Sequence, residues 1–234
     1  MNQPIRVLQW GLGAMGSGMA RLMLEKSGLQ IVAAVDARPD YVGRDLGEVL
    51  GVGKKLGVIV TDHPETVLDS NKVDLTVIAT TSWTERQMPD LRKIITAGIN
   101  VISIAEEMAD PAAQHPELAK ELDELAKQHG VSVLGTGVNP GYVLDLLVVA
   151  LTGGCHSVER IEASRVNDLS PYGPTVMETQ GVGTTPEVFR KGVEEGTIVG
   201  HVGFPESIQL ISDALGLGVD RIVQTREPII SKVY

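Results

Sequence analysis

Residues 5–16 read IRVLQWGLGAMG, and this short stretch decides the fold. Its apolar half, Ile5–Trp10, predicts a strand, and the pattern Gly-x-Gly-x-x-Gly follows directly at Gly11, Gly13 and Gly16. An apolar-periodic segment comes next and predicts a helix. In this context the glycines allow a tight turn and a close backbone approach to a pyrophosphate, while the helix N-terminus offers free amides. The stretch therefore predicts a dinucleotide-binding Rossmann domain, with cofactor contacts from Gly11, Leu12, Gly13, Ala14, Met15 and Gly16.

Strand and helix signals alternate through the rest of the first 150 residues. Apolar runs of the kind found here suit a parallel sheet that is covered by helices on both faces. The regular alternation predicts the α/β class, with a doubly wound Rossmann domain over residues 1–150. After the first strand and helix, strands are predicted at 31–35, 58–60, 73–79, 100–104 and 131–134, and helices at 46–50, 64–68, 84–97 and 116–129.

The pattern changes after about residue 150. A longer strand is predicted at 158–166, and a turn-rich loop follows it at 167–174. Residues 151–234 are therefore predicted to form a partial α+β domain that binds the substrate. Its further elements are short helices predicted at 186–194 and 205–215 and a strand at 219–223.

Composition excludes several classes of function. The formal net charge of −10 argues against nucleic acid or an anionic membrane as partner, because both require a concentrated basic face. The sequence has no apolar run of the roughly 18 residues that a membrane span requires, and its start lacks a signal-peptide pattern. Cys155 is the one cysteine, and the five histidines lack metal-ligand spacing, so we expect no metal site and place the histidines at the surface or at helix ends. These features predict a cytoplasmic enzyme that acts on a small molecule.

The choice of dinucleotide depends on two residues after the second predicted strand. Asp36 lies 20 residues after Gly16, where an acidic side chain binds the adenine ribose hydroxyls. An ordinary turn residue at the strand end is the alternative. Arg38 offers a guanidinium that can receive a 2′-phosphate, whereas Asp36 alone would repel one. We therefore expect NAD or NADP as cofactor, with NAD slightly favoured.

Small hydroxyl residues follow the fourth predicted strand, at the carboxyl edge of the sheet. Ligands of open α/β sheets bind at this edge. Thr80, Thr81 and Ser82 are therefore predicted to line the nicotinamide ribose. A helix N-cap at Ser82 or Thr84 is the alternative, and it is compatible with that role.

Two adjacent carboxylates follow the strand predicted at 100–104. At this edge, Glu106 and Glu107 would lie near the nicotinamide, where a carboxylate can bind a cationic amine and accept a proton. A pair of surface turn acids is the alternative. After the next strand, Asn139 is predicted to contact the cofactor or to cap an apolar helix at 143–151, with Pro140 in its first turn.

Polar residues also gather after the long strand of the second region. Arg165, Asn167 and Tyr172 are predicted to bind a polar substrate, and a hydrogen-bonded loop is the alternative explanation. Either role places them outside the Rossmann domain.

Four segments together resemble the 2,4-diaminopentanoate dehydrogenases and the related native amine dehydrogenases, which share a dihydrodipicolinate-reductase-like architecture. They are GLGAMG at 11–16, IAEEM at 104–108, GTGVNPG at 135–141 and EASRVNDLSPYG at 162–173. The resemblance spans essentially the whole chain, and its last two motifs are more specific than the glycine pattern. It implies NAD(P)-dependent oxidative deamination of 2,4-diaminopentanoate to 2-amino-4-oxopentanoate, with release of ammonia.

The resemblance also implies site residues and an assembly. An acid/base glutamate beside the amine falls on the pair Glu106 and Glu107, of which Glu106 is favoured. Family members continue beyond the equivalent of Tyr234, so residues 151–234 are expected to be part of a substrate and dimerisation domain, and the full-length protein is expected to form a homodimer.

Three other functions stay open from the sequence. The first is an amine dehydrogenase acting on simple ketones and amines, and the second is a dihydrodipicolinate-reductase-like oxidoreductase. The paired histidines and lysine of dihydrodipicolinate reductase are missing after Gly135, which counts against that reaction. The third is a non-catalytic dinucleotide-binding protein.

Overall fold

A six-stranded parallel sheet forms the centre of the N-terminal part of the chain. The computed structural model describes residues 3–230, without the side chains at positions 172, 174 and 175. The strands are β1 Ile5–Trp10, β2 Leu29–Val35, β3 Val60–Thr61, β4 Leu75–Ile78, β5 Asn100–Ser103 and β6 Val133–Gly135. Their order is β3-β2-β1-β4-β5-β6, so the direction of winding reverses between β1 and β4. In open α/β sheets this reversal point is where the ligand crevice forms.

Helices cover the sheet and form most of the second region. In the described residues they are α1 Ala14–Leu24, α2 Leu46–Leu50, α3 Thr84–Thr96, α4 Pro116–His129, α5 Leu146–Thr152, α6 Pro174–Thr179, α7 Pro186–Glu194 and α8 Phe204–Leu215. Two short 3-10 turns at the sheet edge matter for the site, Glu106–Ala109 and Pro111–Ala113. Among the described residues, no helix combines the length and the apolar character needed to cross a membrane.

The core has one apolar layer on each face of the sheet. Strand β1 shows the division, since Leu8 and Trp10 pack with α3 and β2 on one face, while Val7 packs with α1 on the other. All three side chains are buried. A sheet that is buried on both faces confirms the predicted doubly wound α/β fold.

Several predicted elements of the N-terminal part are shorter than expected. The helix predicted at 64–68 is only the 3-10 turn Pro64–Thr66, and the strand predicted at 58–60 pairs with β2 only at Val60–Thr61. Its first residues instead bond to the segment before α2, where Val58 accepts from the Leu46 amide. The buried Asp45 carboxylate fixes this segment by accepting three backbone amides.

The strands predicted at 158–166 and 219–223 are wrong. In the part of residues 151–230 that the structure describes, helices are present but strands are not. A strand needs a neighbour that satisfies its backbone groups, and the described region offers no sheet edge to these segments. Their apolar side chains line a groove beside α8 instead, among them Val158, Ile161 and Val219.

The helix after the sixth strand begins later than predicted. Asp145 is its N-cap and accepts the Leu146 amide at 2.6 Å, so the predicted cap at Asn139 is wrong. The second oxygen of Asp145 accepts the Gly141 amide at 2.8 Å. Because α5 begins only at Leu146, Pro140 belongs to the turn that precedes the helix and not to its first turn.

Candidate active site and cofactor cleft

The glycine loop combines close backbone packing with an open helix end. Gly11 has φ +91°, and a Cβ there would lie 2.5 Å from the Ala79 carbonyl oxygen. A Cβ on Gly16 would lie 2.0 Å from the Gly11 carbonyl oxygen, whereas Gly13 faces open space. Gly11 and Gly16 therefore serve the turn and the helix packing, and Gly13 leaves room for a ligand.

The start of α1 has the properties of an anion site. Its N-cap residue, Gly13, makes no side-chain cap, and its first turn contains no acidic residue. Helix amides and the positive end of the dipole are thus uncompensated. Ala14 and Met15 are exposed here, but the Leu12 side chain is buried in the core, so only the Leu12 backbone faces the loop.

A cleft of about 580 Å³ continues from this loop along the carboxyl edge of the sheet. Pockets of a few hundred cubic ångström are typical of small-molecule sites. The residues that line it include Trp10, Gly11, Gly13, Asp36, Arg38 and Thr80. The cleft therefore joins the predicted phosphate loop, the predicted ribose-binding acid and the first hydroxyl residue after β4.

Asp36 and Arg38 form an ion pair at the rim of the cleft. One Asp36 oxygen accepts the Leu12 amide at 2.6 Å, and the other accepts the Arg38 amide at 2.9 Å and its Nε at 3.3 Å. The Arg38 guanidinium lies 3.7 Å above the Tyr41 ring, a cation–π contact. The pair thus places a carboxylate and a guanidinium together at the rim of the cleft.

The hydroxyl residues after β4 do not cap α3. Thr80 lines the cleft, and Thr81 Oγ1 accepts the Trp83 amide at 3.3 Å. Ser82 uses its backbone carbonyl to accept the Glu107 amide. The N-cap residue is Trp83, without a side-chain cap, so the alternative cap at Ser82 or Thr84 is wrong.

The first amide of α3 is instead satisfied by Glu107. Its Oε2 accepts the Thr84 amide at 2.7 Å and lies 3.2 Å from His115 Nε2. Glu107 is only 4% exposed. His115 lies at the start of α4, a helix end as predicted, and it also pairs with a buried carboxylate. The Glu107 carboxylate is thus occupied by contacts within the fold.

Glu106 lies beside it in a different environment. Its side chain is partly exposed, and among the described residues its carboxylate makes no hydrogen bond or ion pair. Gly203, at φ +105°, lies next to it, where there is no room for a side chain: a Cβ there would lie 2.4 Å from the Pro140 ring and 3.4 Å from Glu106 Cβ. The structure therefore brings Glu106 and the loop at residue 139 together around Gly203.

Asn139 forms the other wall of this corner. It is 8% exposed, and its Nδ2 lies 2.6 Å from His201 Nε2, a contact in which the amide donates and a neutral imidazole accepts. Burial, and secondly the charge of Arg165, lower the pKa of His201 and favour the neutral form. Asn139 Oδ1 is buried and has no partner in the described part of the chain.

The predicted substrate residues are only partly assembled. Arg165 acts on His201 electrostatically, and its Nε donates to Asn167 Oδ1 at 3.2 Å. Asn167 itself is exposed. The side chain of Tyr172 lies outside what the structure describes, so its predicted contact stays a prediction.

The sequence reasoning missed His201, Gly203 and the buried carboxyl of Glu206. The first two sit in the run GHVGFP at 200–205, whose two glycines before a proline indicate a constrained turn. Glu206 gives no local signal, because an acid in a first helical turn is ordinary. As for metals, the described residues contain no group of three His, Cys, Asp or Glu side chains that could hold an ion.

Two family models match separate parts of the chain. Residues 5–76 match the dihydrodipicolinate reductase N-terminus, and residues 142–234 match the 2,4-diaminopentanoate dehydrogenase C-terminal domain. The first match covers the glycine loop and the cleft rim at Asp36. The second covers the helical region with Arg165 and His201.

Relatives agree with these matches. The 2,4-diaminopentanoate dehydrogenase of Acetoanaerobium sticklandii is 46% identical over 99% of this chain and 66% of its own length. The amine dehydrogenase of Streptomyces virginiae is 25% identical over 95% of this chain and 62% of its own length. The solved amine dehydrogenase from Mycobacterium smegmatis superposes with a TM-score of 0.74 at 33% identity, covering 89% of this chain and 61% of that one.

This chain thus spans between 61% and 66% of the length of these relatives. The resemblance inferred from the four sequence segments is confirmed. By sequence and by fold, the chain is similar over nearly its whole length to the 2,4-diaminopentanoate dehydrogenases and related amine dehydrogenases.

Proposed function

We propose that this chain carries the dinucleotide-binding and catalytic part of an enzyme that oxidatively deaminates 2,4-diaminopentanoate. The products are 2-amino-4-oxopentanoate, ammonia and the reduced dinucleotide, and one water is consumed. The observation that carries the proposal is the Glu106 carboxylate, which has no partner among the described residues and lies after β5, beside Gly203. Its neighbour Glu107 is already occupied.

Glu106 is proposed as the acid/base residue. As a carboxylate it attracts the substrate ammonium, takes its proton so that the amine lone pair can assist hydride departure, and passes that proton to solvent. The restored carboxylate stabilises the iminium charge. Water then adds to the iminium carbon, and Glu106 takes a proton from that water and gives it to the amine nitrogen, which leaves as ammonia when the ketone forms. Gly203 allows this approach, since any side chain there would fill the space beside Glu106.

The residues of the cleft fit NAD or NADP. When bound, the oxidised dinucleotide accepts the hydride from the amine-bearing carbon. Gly13 and the uncapped start of α1 would hold the pyrophosphate, and Asp36 and Arg38 would face the adenine ribose. Asn139 Oδ1 is buried without a hydrogen-bond donor, and the carboxamide NH2 group of a nicotinamide would supply one. Asp36, which disfavours a 2′-phosphate, forms an ion pair with Arg38, which can bind one. We therefore expect both cofactors to bind, with NAD slightly favoured.

Arg165 is proposed to bind the carboxylate of the substrate, with Asn167 and Tyr172 completing the site. This proposal distinguishes two activities. An amine dehydrogenase for simple ketones and amines has no substrate carboxylate, so it would not depend on Arg165. Because a 2,4-diaminopentanoate dehydrogenase and an amine dehydrogenase both match nearly all of this chain, the activity on simple amines is the one to test beside the proposed activity.

The domain division and the assembly are part of the same proposal. We infer a cofactor domain over 1–150 and a substrate and dimerisation domain from 151, which the C-terminal family model supports by starting at residue 142. A homodimer of the complete protein and a cytoplasmic location are proposed with it. Light scattering on a chain of the relatives' full length tests the dimer.

Dinucleotide reduction by the purified 234-residue chain tests the function. The substrates are 2,4-diaminopentanoate and a simple amine of similar size, each with NAD and with NADP, for the wild type and for Arg165→Ala. We expect turnover of the diamino acid that falls in the Arg165 variant. Equal turnover of both amines in both proteins contradicts the proposed substrate, and tight dinucleotide binding without any turnover points to a non-catalytic binding protein.

A further inference from the structure

Glu206 is a fully buried acid that the proposed reaction does not use. It lies in the first turn of α8 and has no solvent exposure. Its Oε1 accepts a hydrogen bond from Gln114 Nε2 at 2.6 Å, while its Oε2 is buried without a partner among the described residues. A buried carboxylate anion with an unsatisfied oxygen is costly, whereas the neutral acid is tolerated. This side chain therefore differs from the exposed acids usual at a helix start.

The groups that face Glu206 are mostly acidic and come from three elements. Burial is the largest cause that raises the pKa of Glu206, and Glu107 in the first 3-10 turn and Asp110 between the two turns raise it further. The Gln114 hydrogen bond acts in the opposite direction. Asp145, the N-cap of α5, accepts the neighbouring Ser207 hydroxyl at 2.8 Å. His115 is paired with Glu107.

The start of α8 also adjoins the reactive corner, by which we mean Glu106, Asn139, His201 and Gly203. Gly203 lies three residues before Glu206, and a Cβ there would meet both the Pro140 ring and the Glu106 side chain. His201, five residues before Glu206, holds Asn139. A displacement of the first turn of α8 would therefore move both walls of the corner relative to Glu106.

We propose that Glu206 is a positioning residue: as a neutral acid it holds the start of α8 against the turn that carries Glu106, and so sets the geometry of the reactive corner. The consequence for catalysis rests on the proposed function, but the contact itself does not. Ionisation of Glu206 places an anion in a buried site that faces Glu107 and Asp110; this cost outweighs the hydrogen bond that Gln114 donates to the carboxylate, and the contact loosens. The stabilising contribution is complete below about pH 4.5 and is lost as the pH rises through the raised pKa.

Kinetics across pH on the 234-residue chain test this role. Glu206→Gln keeps the shape and the acceptor for Gln114 but cannot ionise. We expect it to move the alkaline loss of kcat to higher pH and to leave the KM of the dinucleotide unchanged. Glu206→Ala, which removes the contact, is expected to lower kcat about tenfold or more at every pH, because small misplacements in a site are costly. Glu187→Gln, the same change in the exposed first turn of α7, is the matched control.

Amide hydrogen exchange separates this inference from the proposed reaction. With the intrinsic pH dependence of exchange removed, residues 104–114 and 200–207 are expected to lose protection as the pH rises in the wild type but not in Glu206→Gln. Gln114→Ala, which removes the hydrogen bond itself, should lower the protection of the same segments at every pH. If exchange behaves in this way but no amine is turned over, the contact stands and the proposed reaction fails. Identical exchange and identical pH profiles in the wild type and Glu206→Gln overturn the role of Glu206.

Discussion

At the scale of single residues, two adjacent glutamates have opposite environments. The sequence predicted the pair at the sheet edge, because both follow a buried strand. It could not separate them, because the separation comes from contacts that are distant along the chain: Glu107 binds the Thr84 amide, 23 positions away, and His115, 8 positions away. Only the folded chain shows that the Glu107 carboxylate is hydrogen-bonded while the Glu106 carboxylate has no partner among the described residues.

The two glutamates should therefore respond differently to the same substitution. Glu106→Gln is expected to lower kcat by about 100-fold or more, because it removes a proton acceptor and keeps the size, and to leave the unfolding midpoint near that of the wild type. Glu107→Gln is expected to lower the unfolding midpoint instead, because an anion that serves a helix amide and His115 is replaced. Steady-state kinetics and thermal unfolding on both variants give the comparison. Full activity of Glu106→Gln would remove it from the reaction.

Cofactor selectivity is also decided by single side chains, here at the cleft rim. Arg38→Ala is expected to weaken NADP binding roughly 10- to 100-fold, because a charge-assisted hydrogen bond to the 2′-phosphate is lost. NAD binding should change little, since Asp36 remains. Quenching of Trp10, which lines the cleft, measures both affinities, and the exposed Arg44→Ala is the control. An equal loss for NAD and NADP would mean that Arg38 acts only by ordering Asp36 and Tyr41.

At the scale of elements, local signals predicted all six strands of the parallel sheet and most of its helices, but they failed for the strands of the second region. Helices α4 and α7 have the predicted limits, since Pro starts each and Gly130 ends α4 in the left-handed conformation. The segment 158–166 has a strand-like pattern, but its pairing depends on a neighbour that local sequence does not specify. The start of α5 was missed for a related reason, because its cap is linked to α8 through Ser207.

Asp145 joins these two helices and is expected to be a large contributor to stability. It is fully buried and accepts the amides of Gly141 and Leu146 and the hydroxyl of Ser207. Asp145→Ala should lower the free energy of unfolding by about 3 kcal/mol, and Ser207→Ala by about 1 kcal/mol. Because Ser207 makes this bond only with Asp145, the double variant should cost little more than Asp145→Ala alone, which urea denaturation can measure. Additive losses would show that the two side chains act independently.

At the scale of the whole molecule, the acidic composition has a structural counterpart. The formal net charge of −10 does not by itself indicate which acids are stabilising. Acids that pair with a cation or accept backbone amides, such as Asp45 and Asp74, have lowered pKa values, whereas the partly or fully buried Asp110 and Glu206 have raised ones. The two sets act in opposite directions on stability as the pH changes, so stability is expected to decline at both acidic and alkaline pH.

Asp74 offers the clearest test of the acidic side. It joins the first residues of β1 to the segment before β4, accepting the Arg6 amide at 2.7 Å and its guanidinium at 2.9 and 2.7 Å. These bonds lower the pKa of Asp74 from 3.8 to about 2. A lowered pKa means that the contribution is complete above about pH 4 and is lost as the pH falls toward 2, when the carboxyl takes up a proton.

Asp74→Asn should therefore lower the urea midpoint at neutral pH and reduce the fall of that midpoint between roughly pH 4 and pH 2. The fall should be reduced and not abolished, because Asp45 and Asp69 have lowered pKa values as well. The exposed Asp220→Asn serves as the control for a change of one charge. Added salt should narrow the difference between the wild type and Asp74→Asn at neutral pH, since the ion pair is partly exposed and screened by ions. If the variant kept the acid dependence of the wild type, the link between β1 and β4 would not be electrostatic.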